Sequence, residues 1–352
     1  MSFASIISRW PRPALALAVG IGSGVLANRM AVPLPWMLGP MIGNTIAAMA
    51  RAPITAPMVL RPIVIPIIGV MLGSGLNPHV LAQAMHWWPT LLMLVPFLAV
   101  AGAISYLFYR RVGGFDPVTA FFASMPGGLN DMVILGSAAG GDERRIALAH
   151  SVRILVVIVF VVLFFGLVLG VASSRQSRPY VGFGVLGPTD VAWLVATGLA
   201  GVPLGKLLRL PAAPMLGPMI LSGAAHIIGV VEVPPPTILI IGAQIVLGTV
   251  IGCRFAGSRV RDIGRDMVLG AISSTLMILV AVSFAALLAG LTGTDLRQAF
   301  LAYSPGGLTE MSLLALAMGQ EVAYVSISHV ARIMVVIFGA PLIFRAIARW
   351  RG

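Results

Sequence analysis

The 352-residue sequence is poor in charge: Asp, Glu, Lys and Arg make up only 10% of it, and Lys206 is the sole lysine. Soluble domains carry about 25% charged residues, so this composition excludes an ordinary soluble globule. The single cysteine, Cys253, excludes an internal disulfide and any CxxC site. The sequence also lacks a Walker A motif and any nucleic-acid-binding motif, which argues against nucleotide hydrolysis and against a nucleic-acid partner.

Apolar residues are abundant instead, at 59% of the chain with a mean hydropathy of +1.01. Apolar stretches of about 20 residues, enough to cross ~30 Å of hydrocarbon, follow one another from residue 13 to residue 346. They predict an all-α polytopic membrane protein surrounded by lipid, with arginines at the segment ends to orient it. The N-terminus resembles a cleaved signal, but its register matches residues 191–210, so we expect a retained first transmembrane helix.

The sequence contains the same series of motifs twice, which predicts two homologous repeats at residues 1–175 and 185–352. The polar stretch "SSRQSRPY" at residues 173–180 is the predicted linker. The matched pairs keep one register with a single one-residue slip. They are "MLGPMI" at 37–42 and 215–220, "SMPGGLNDM" at 124–132 with "SPGGLTEM" at 304–311 (305 − 126 = 179), and "HSVRILVV" at 150–157 with "HVARIMVV" at 329–336.

Each half contains six apolar segments, and the number that cross the membrane decides the symmetry. Six crossings make the halves parallel, whereas five make them inverted. If the PGG segment of each half enters and leaves on one side, the Lys and Arg residues between segments divide sixteen to four across the membrane. We therefore predict two inverted repeats, each with about five transmembrane helices plus a re-entrant or broken helix. Twelve full spans remain the alternative.

Glycine and proline interrupt two segments in each half, and we expect both to break a helix. Unpaired main-chain groups cost several kcal/mol in hydrocarbon, so such breaks persist only inside protein or beside an aqueous cavity. Matched breaks in inverted halves indicate a solute site near the midplane; a kink for helix packing is the alternative. The helix-break residues are Gly39, Pro40, Gly217 and Pro218; the predicted solute-binding residues here are Pro126, Gly127, Gly128, Asn130, Asp131, Pro305, Gly306, Gly307, Thr309 and Glu310.

The GxxxG spacings elsewhere are typical of tight helix packing. They occur at Gly20 and Gly24, at Gly69 and Gly73, and at Gly248 and Gly252. We expect these glycines to let neighbouring helices approach closely, and we assign them no role in binding.

The sixth segment of each half carries a histidine and an arginine three residues apart, which places both on one helix face. An arginine within an apolar run is costly unless it is paired or faces water, so we add Arg153 and Arg332 to the solute site. The alternative is that these two arginines extend their charged ends to the nearby membrane–water interface. We predict that Asp131 pairs with Arg153 and Glu310 with Arg332, or each with the other half, and that His150 and His329 relay protons.

At "PLPWMLGPMIG", "ASMPGGLNDM" and "YSPGGLTEM", with the duplicated "HxxRI", the chain resembles the AbrB family of bacterial membrane proteins over both halves. Family members are labelled transcriptional regulators or ammonia monooxygenases. The resemblance implies that the protein lies in the bacterial cytoplasmic membrane and that it influences gene expression indirectly, through a solute. An oxygenase would need clustered metal ligands, and the five histidines, His79, His86, His150, His226 and His329, show none, so we expect no metal and no cofactor.

Together these patterns favour a secondary transporter, not an enzyme, in which one bundle moves against another. The paired arginines and half-helix N-termini favour a small anionic or zwitterionic metabolite, with H⁺ or Na⁺ coupling. A membrane-embedded regulator that binds a solute without moving it is the alternative. The sequence leaves the oligomeric state open, and a homo-oligomer is one possibility.

Overall fold

The computed structural model describes residues 11–32, 34–76, 83–84, 86–164, 180–256 and 260–350. Within these ranges the chain forms fourteen α-helices and two short 3₁₀ turns, and no strand. Residues 173–179 of the predicted linker, and His79, lie outside the described residues. The helices are α1 Pro11–Arg29, α2 Pro35–Met49, α3 Arg61–Gly73, α4 Trp88–Arg111, α5 Pro117–Ser124, α6 Leu129–Ala138, α7 Glu143–Leu163, α8 Pro188–Leu207, α9 Ala213–Ile227, α10 Thr237–Gly252, α11 Val260–Thr292, α12 Leu296–Tyr303, α13 Leu308–Ala317 and α14 Val322–Trp350.

The chain divides into two compact units, and each unit takes helices from both halves of the sequence. Unit 1 contains α1 to α3 and α8 to α10, and unit 2 is built mainly from α4 to α7 and α11 to α14. The contact units therefore differ from the two sequence repeats. The repeat boundaries and their inverted relation stay predictions.

Close helix contacts in unit 1 occur at the predicted GxxxG glycines. A Cβ added to Gly69 or Gly73 of α3 would overlap main-chain carbonyls of α9, and one on Gly248 or Gly252 of α10 would overlap those of α2. Only hydrogen fits at these positions, because the two backbones touch. The packing role predicted for these four glycines is confirmed, and α3 and α10 occupy corresponding places within the unit.

The helix breaks predicted at the two LGP motifs are wrong. α2 continues through Gly39 and Pro40, and α9 continues through Gly217 and Pro218. A proline removes one N–H donor, which a helix packed on both sides tolerates. The glycines serve contact instead: a Cβ on Gly217 would overlap the main chain of Gly201 on α8, and one on Gly39 would overlap that of α1.

Unit 2 contains the long apolar helices. Among the described residues, Trp88–Arg111, Gly264–Thr292 and Val322–Phe344 are long and apolar enough to cross a membrane. The short helices α5 and α6 follow one another closely, as do α12 and α13, and α7 and α14 carry the predicted arginines. An all-helical chain with three such helices is compatible with a helical membrane protein. The number of spans stays a prediction.

Candidate functional site

The two PGG motifs interrupt helices at corresponding points of unit 2. Residues 125–128, the first break, separate α5 from α6, and residues 304–307, the second break, separate α12 from α13. The chain is extended at the start of each, with ψ of 125° at Met125 and 132° at Ser304. The breaks predicted from PGG are confirmed, and each leaves main-chain carbonyls without helical partners.

A carboxylate caps the helix that leads into each break. Asp116 accepts hydrogen bonds from two N–H groups of α5 at 3.0 and 2.9 Å, and Asp295 accepts from two of α12 at 2.7 and 3.2 Å. Burial alone would raise the pKa of Asp116, but hydrogen bonds from Thr119 and Val118 outweigh it and hold that pKa below its ordinary value. Both short helices therefore begin at a defined residue despite having only eight residues each.

Arg153 of α7 supplies the donors that the first break lacks. Its Nη1 donates to the carbonyl of Met125 at 2.9 Å, and its Nη2 donates to the carbonyl of Gly127 at 3.1 Å. The planar guanidinium presents several N–H groups in a fixed fork, so one side chain can serve two carbonyls. The arginine thus stabilises the non-helical backbone.

Arg332 of α14 does the same at the second break, where it donates to the carbonyls of Ser304 and Gly306, both at 2.6 Å. Arg153 and Arg332 are only 5% and 3% exposed, so both guanidiniums are buried. Neutral carbonyls do not cancel their charge. Two like charges are therefore held inside unit 2 without a counter-charge from the carbonyls that bind them.

The two histidines beside these arginines make different contacts. His150 Nε2 donates to the carbonyl of Phe122 at 2.9 Å, and its Nδ1 accepts from Arg153 Nη2 at 2.8 Å. These contacts require a neutral imidazole with its proton on Nε2. His329 instead donates through Nδ1 to the carbonyl of Val325 in its own helix at 2.9 Å. The proton-relay role stays a prediction for both.

The carboxylates at the start of α6 and α13 fold back over the breaks. A Cβ on Gly128 would overlap Asp131 Oδ2, and a Cβ on Gly307 would overlap Glu310 Oε2. Both carboxylates are half-buried. The second glycine of each motif therefore leaves room for the carboxylate that follows three residues later.

The predicted ion pairs of Asp131 with Arg153 and of Glu310 with Arg332 are wrong, as is their exchange between the halves. In the part of the chain that the structure describes, every ion pair within 4.0 Å involves Arg145. The Nη1 and Nη2 groups of both arginines donate to main-chain carbonyls of the breaks, while each carboxylate folds over the glycine three residues before it. Carboxylate and guanidinium lie at the same breaks but serve different groups.

The other predicted binding residues lie at or beside the breaks with different exposure. Pro126 and Pro305 are buried, Asn130 is exposed and Thr309 is half-buried. The structure thus brings the two prolines close to their arginine-bound carbonyls. It leaves Asn130 at the surface of the described residues, where a role in binding stays a prediction.

Sequence comparison of the halves missed two serines, because it looked for matches between them. Ser304 replaces Met125 at the start of the second break, and Ser328 replaces Ala149 on the helix that carries the arginine. Both serines are buried. The signal was present as two polar replacements inside otherwise matching motifs.

Comparison with known proteins gives a consistent result over nearly the whole chain. A family model described as "Transition state regulatory protein AbrB" matches residues 36–348. The chain is 25% identical to "Uncharacterized protein YhjN" of Bacillus subtilis (strain 168), over 96% of this chain and 93% of that protein. It is also 25% identical to "Putative regulator AbrB" of Escherichia coli (strain K12), over 95% of each.

Proposed function

Because the chain belongs to the AbrB family, whose relatives here are bacterial, we propose that it is a secondary transporter of the cytoplasmic membrane. Its substrate is a small anionic or zwitterionic metabolite, and H⁺ or Na⁺ drives the transport. One observation carries the proposal: Arg153 and Arg332 are buried at the two breaks of unit 2, and in the described ranges neither has a carboxylate within 4.0 Å. A substrate anion supplies the missing counter-charge.

The broken helices add to the attraction for an anion. α6 and α13 begin inside unit 2 directly after the breaks, and the first turn of a helix has N–H groups free to donate and a partial positive charge. Discontinuous helices in transporters point such N-termini at anionic substrate groups. The guanidiniums and the helix ends therefore favour the same class of ligand.

The coupling ion acts at the titratable side chains beside the breaks. Asp131 and Glu310 lie over the glycines of the breaks without a guanidinium partner, so either carboxylate can exchange a proton or a cation as the substrate binds. A proton or cation bound at one of these carboxylates cancels its negative charge, which would otherwise repel the substrate anion. Binding of the anion and of the cation therefore favour each other, which supports symport over transport of the anion alone.

Flux through liposomes tests the proposal. We would load purified protein into vesicles, impose a proton or sodium gradient, and follow uptake of radiolabelled lactate, succinate and glutamate. We expect gradient-driven accumulation of at least one of them, reduced about tenfold or more in a double variant with Asp131→Asn and Glu310→Gln. The exposed Glu232→Gln is the matched control and should leave uptake unchanged.

The regulator function has support from a different observation, because the family and the Escherichia coli relative are both described as regulators. A regulator binds the solute and does not move it. Binding of one of these anions with no accumulation under either gradient would favour regulation and overturn transport. If the folded protein shows no binding and no uptake of any of these anions, both functions are overturned.

A further inference from the structure

The two breaks share a backbone but differ in the polar side chains around their arginines. At the second break, Arg332 Nη1 donates to the carbonyl of Ser304, so the side chain of Ser304 lies beside this guanidinium. Ser328 precedes Arg332 by four residues in α14, which places both on one helix face. At the first break, apolar Met125 and Ala149 occupy the equivalent positions.

The polar atoms around Arg332 lack the partners that buried groups normally have. Ser304 and Ser328 are 0% and 1% exposed, and among the described residues Ser304 Oγ, Ser328 Oγ and Arg332 Nε have no hydrogen-bond partner. A buried serine in a helix usually donates to the carbonyl four residues earlier, as Ser274 does to Gly270 at 2.6 Å. Three unpaired buried groups on the residues of one break and its arginine helix cost free energy unless a bound molecule satisfies them.

We propose that the second break binds a small carboxylate that also carries a hydroxyl group, with Arg332 Nε donating to the carboxylate and Ser304 and Ser328 binding the hydroxyl. This inference rests on the proposed function and specifies its substrate class. A carboxylate only accepts hydrogen bonds, whereas a serine hydroxyl both donates and accepts. A hydroxy acid can therefore both accept from these donors and donate to a serine oxygen, whereas a plain carboxylate can only accept. The first break, apolar at both equivalent positions, provides no second hydroxyl subsite.

Pairs of acids that differ by one hydroxyl test the inference directly. We would measure the shift in unfolding temperature and the competition for uptake with lactate against propionate, and with malate against succinate. The hydroxy acid of the better-bound pair should act at concentrations about tenfold lower or more, because a site built for a hydroxyl disfavours the analogue without it. The double variant Ser304→Ala and Ser328→Ala should lose this preference.

Stability without ligand separates a binding role from a structural one. Removing an unpaired buried hydroxyl by a change from serine to alanine should leave the unfolding temperature of the free protein unchanged or raise it. Ser124→Ala is the matched control, because that serine is also fully buried but donates to the carbonyl of Phe121 at 2.8 Å. It should lower the unfolding temperature and keep the preference for the hydroxy acid.

The outcomes distinguish this inference from the proposed function. Equal action of both acids in each pair, or a preference that survives the double serine variant, would overturn the inference even if uptake is observed. A preference for the hydroxy acid that the variant abolishes, without accumulation in vesicles, would support the inference and overturn transport. No binding of any of the four acids would overturn the inference.

Discussion

The glycine-proline helices of unit 1 and the breaks of unit 2 use the same residue types and reach opposite results. In unit 1, α2 and α9 run straight through Gly39–Pro40 and Gly217–Pro218. In unit 2, the Pro-Gly-Gly segments leave the helix altogether. Proline and glycine in an apolar segment therefore do not by themselves decide between a kink and a break.

The difference lies in what the neighbouring helices provide. At α2 and α9 the neighbours are other backbones, which contact the glycines and favour a compact helix. At the breaks the neighbours are guanidiniums, which donate to carbonyls 28 and 26 residues earlier in the chain. A break in an apolar segment thus consists of two parts, the motif and a buried donor that replaces the lost helical hydrogen bonds.

The largest effect is expected where the donor is removed. Arg332→Ala should lower the free energy of unfolding by about 4 kcal/mol, because two buried carbonyls lose their partners. The free energy of unfolding of Arg332→Lys should lie between those of Arg332→Ala and the wild type, since a single ammonium cannot span both carbonyls in the same way. Denaturant unfolding in detergent measures this.

The exposed Arg297→Ala is the control for the arginine variants and should change stability by less than about 0.5 kcal/mol. If Arg332→Ala were as stable as this control, the second break would not depend on its guanidinium. The contrast between the two units would then need another cause.

A smaller effect is expected at the helix contacts of unit 1. Gly217→Ala should cost about 3 kcal/mol, because the new methyl group meets the rigid main chain of Gly201. Gly242→Ala is the matched control within the same unit; nothing lies within 4 Å of its added Cβ, so it should stabilise α10 by about 0.5–1 kcal/mol. Equal stability of the two variants would show that the helices separate easily.

The smallest effect concerns the caps of α5 and α12, the two short helices that lead into the breaks. Asp116→Ala and Asp295→Ala should each cost about 1 kcal/mol at neutral pH, since each removes an acceptor for two N–H groups.

Because hydrogen bonds hold the pKa of Asp116 below its ordinary value, its cap stabilises fully above the ordinary carboxyl range. That stabilisation is lost as pH falls through the lower folded value. The stability difference between wild type and Asp116→Asn should therefore shrink below about pH 4. A difference that stays constant down to pH 2 would contradict this assignment.

Sequence reasoning located the breaks correctly but not the groups that the arginines bind. "PGG" identifies an interruption because it contains proline and two residues without side chains, a property of the segment itself. The partners of Arg153 depend on how α7 packs beside α5, which no local pattern records. Pairing it with Asp131 followed from charge alone, and the main-chain carbonyls proved to be the nearer acceptors.

The same limit explains the errors at the LGP motifs. Gly217 and Pro218 look like an interruption in isolation, but the shape of α8 at Gly201 makes a continuous helix the better packed structure. That complementarity involves residues 16 positions apart (217 − 201 = 16) on two helices. Ser304 and Ser328 were missed for a different reason, because the comparison of the halves looked for matching residues and these serines are replacements.

The mixed origin of each unit has a consequence for biosynthesis. α3 packs on α9 and α2 packs on α10, so the first three helices cannot complete unit 1 until the ribosome has passed residue 252. The second break likewise waits for Arg332, near the end of the chain. The early helices must therefore keep their contact glycines exposed for most of synthesis, and chains truncated at the middle should be degraded, with neither unit complete.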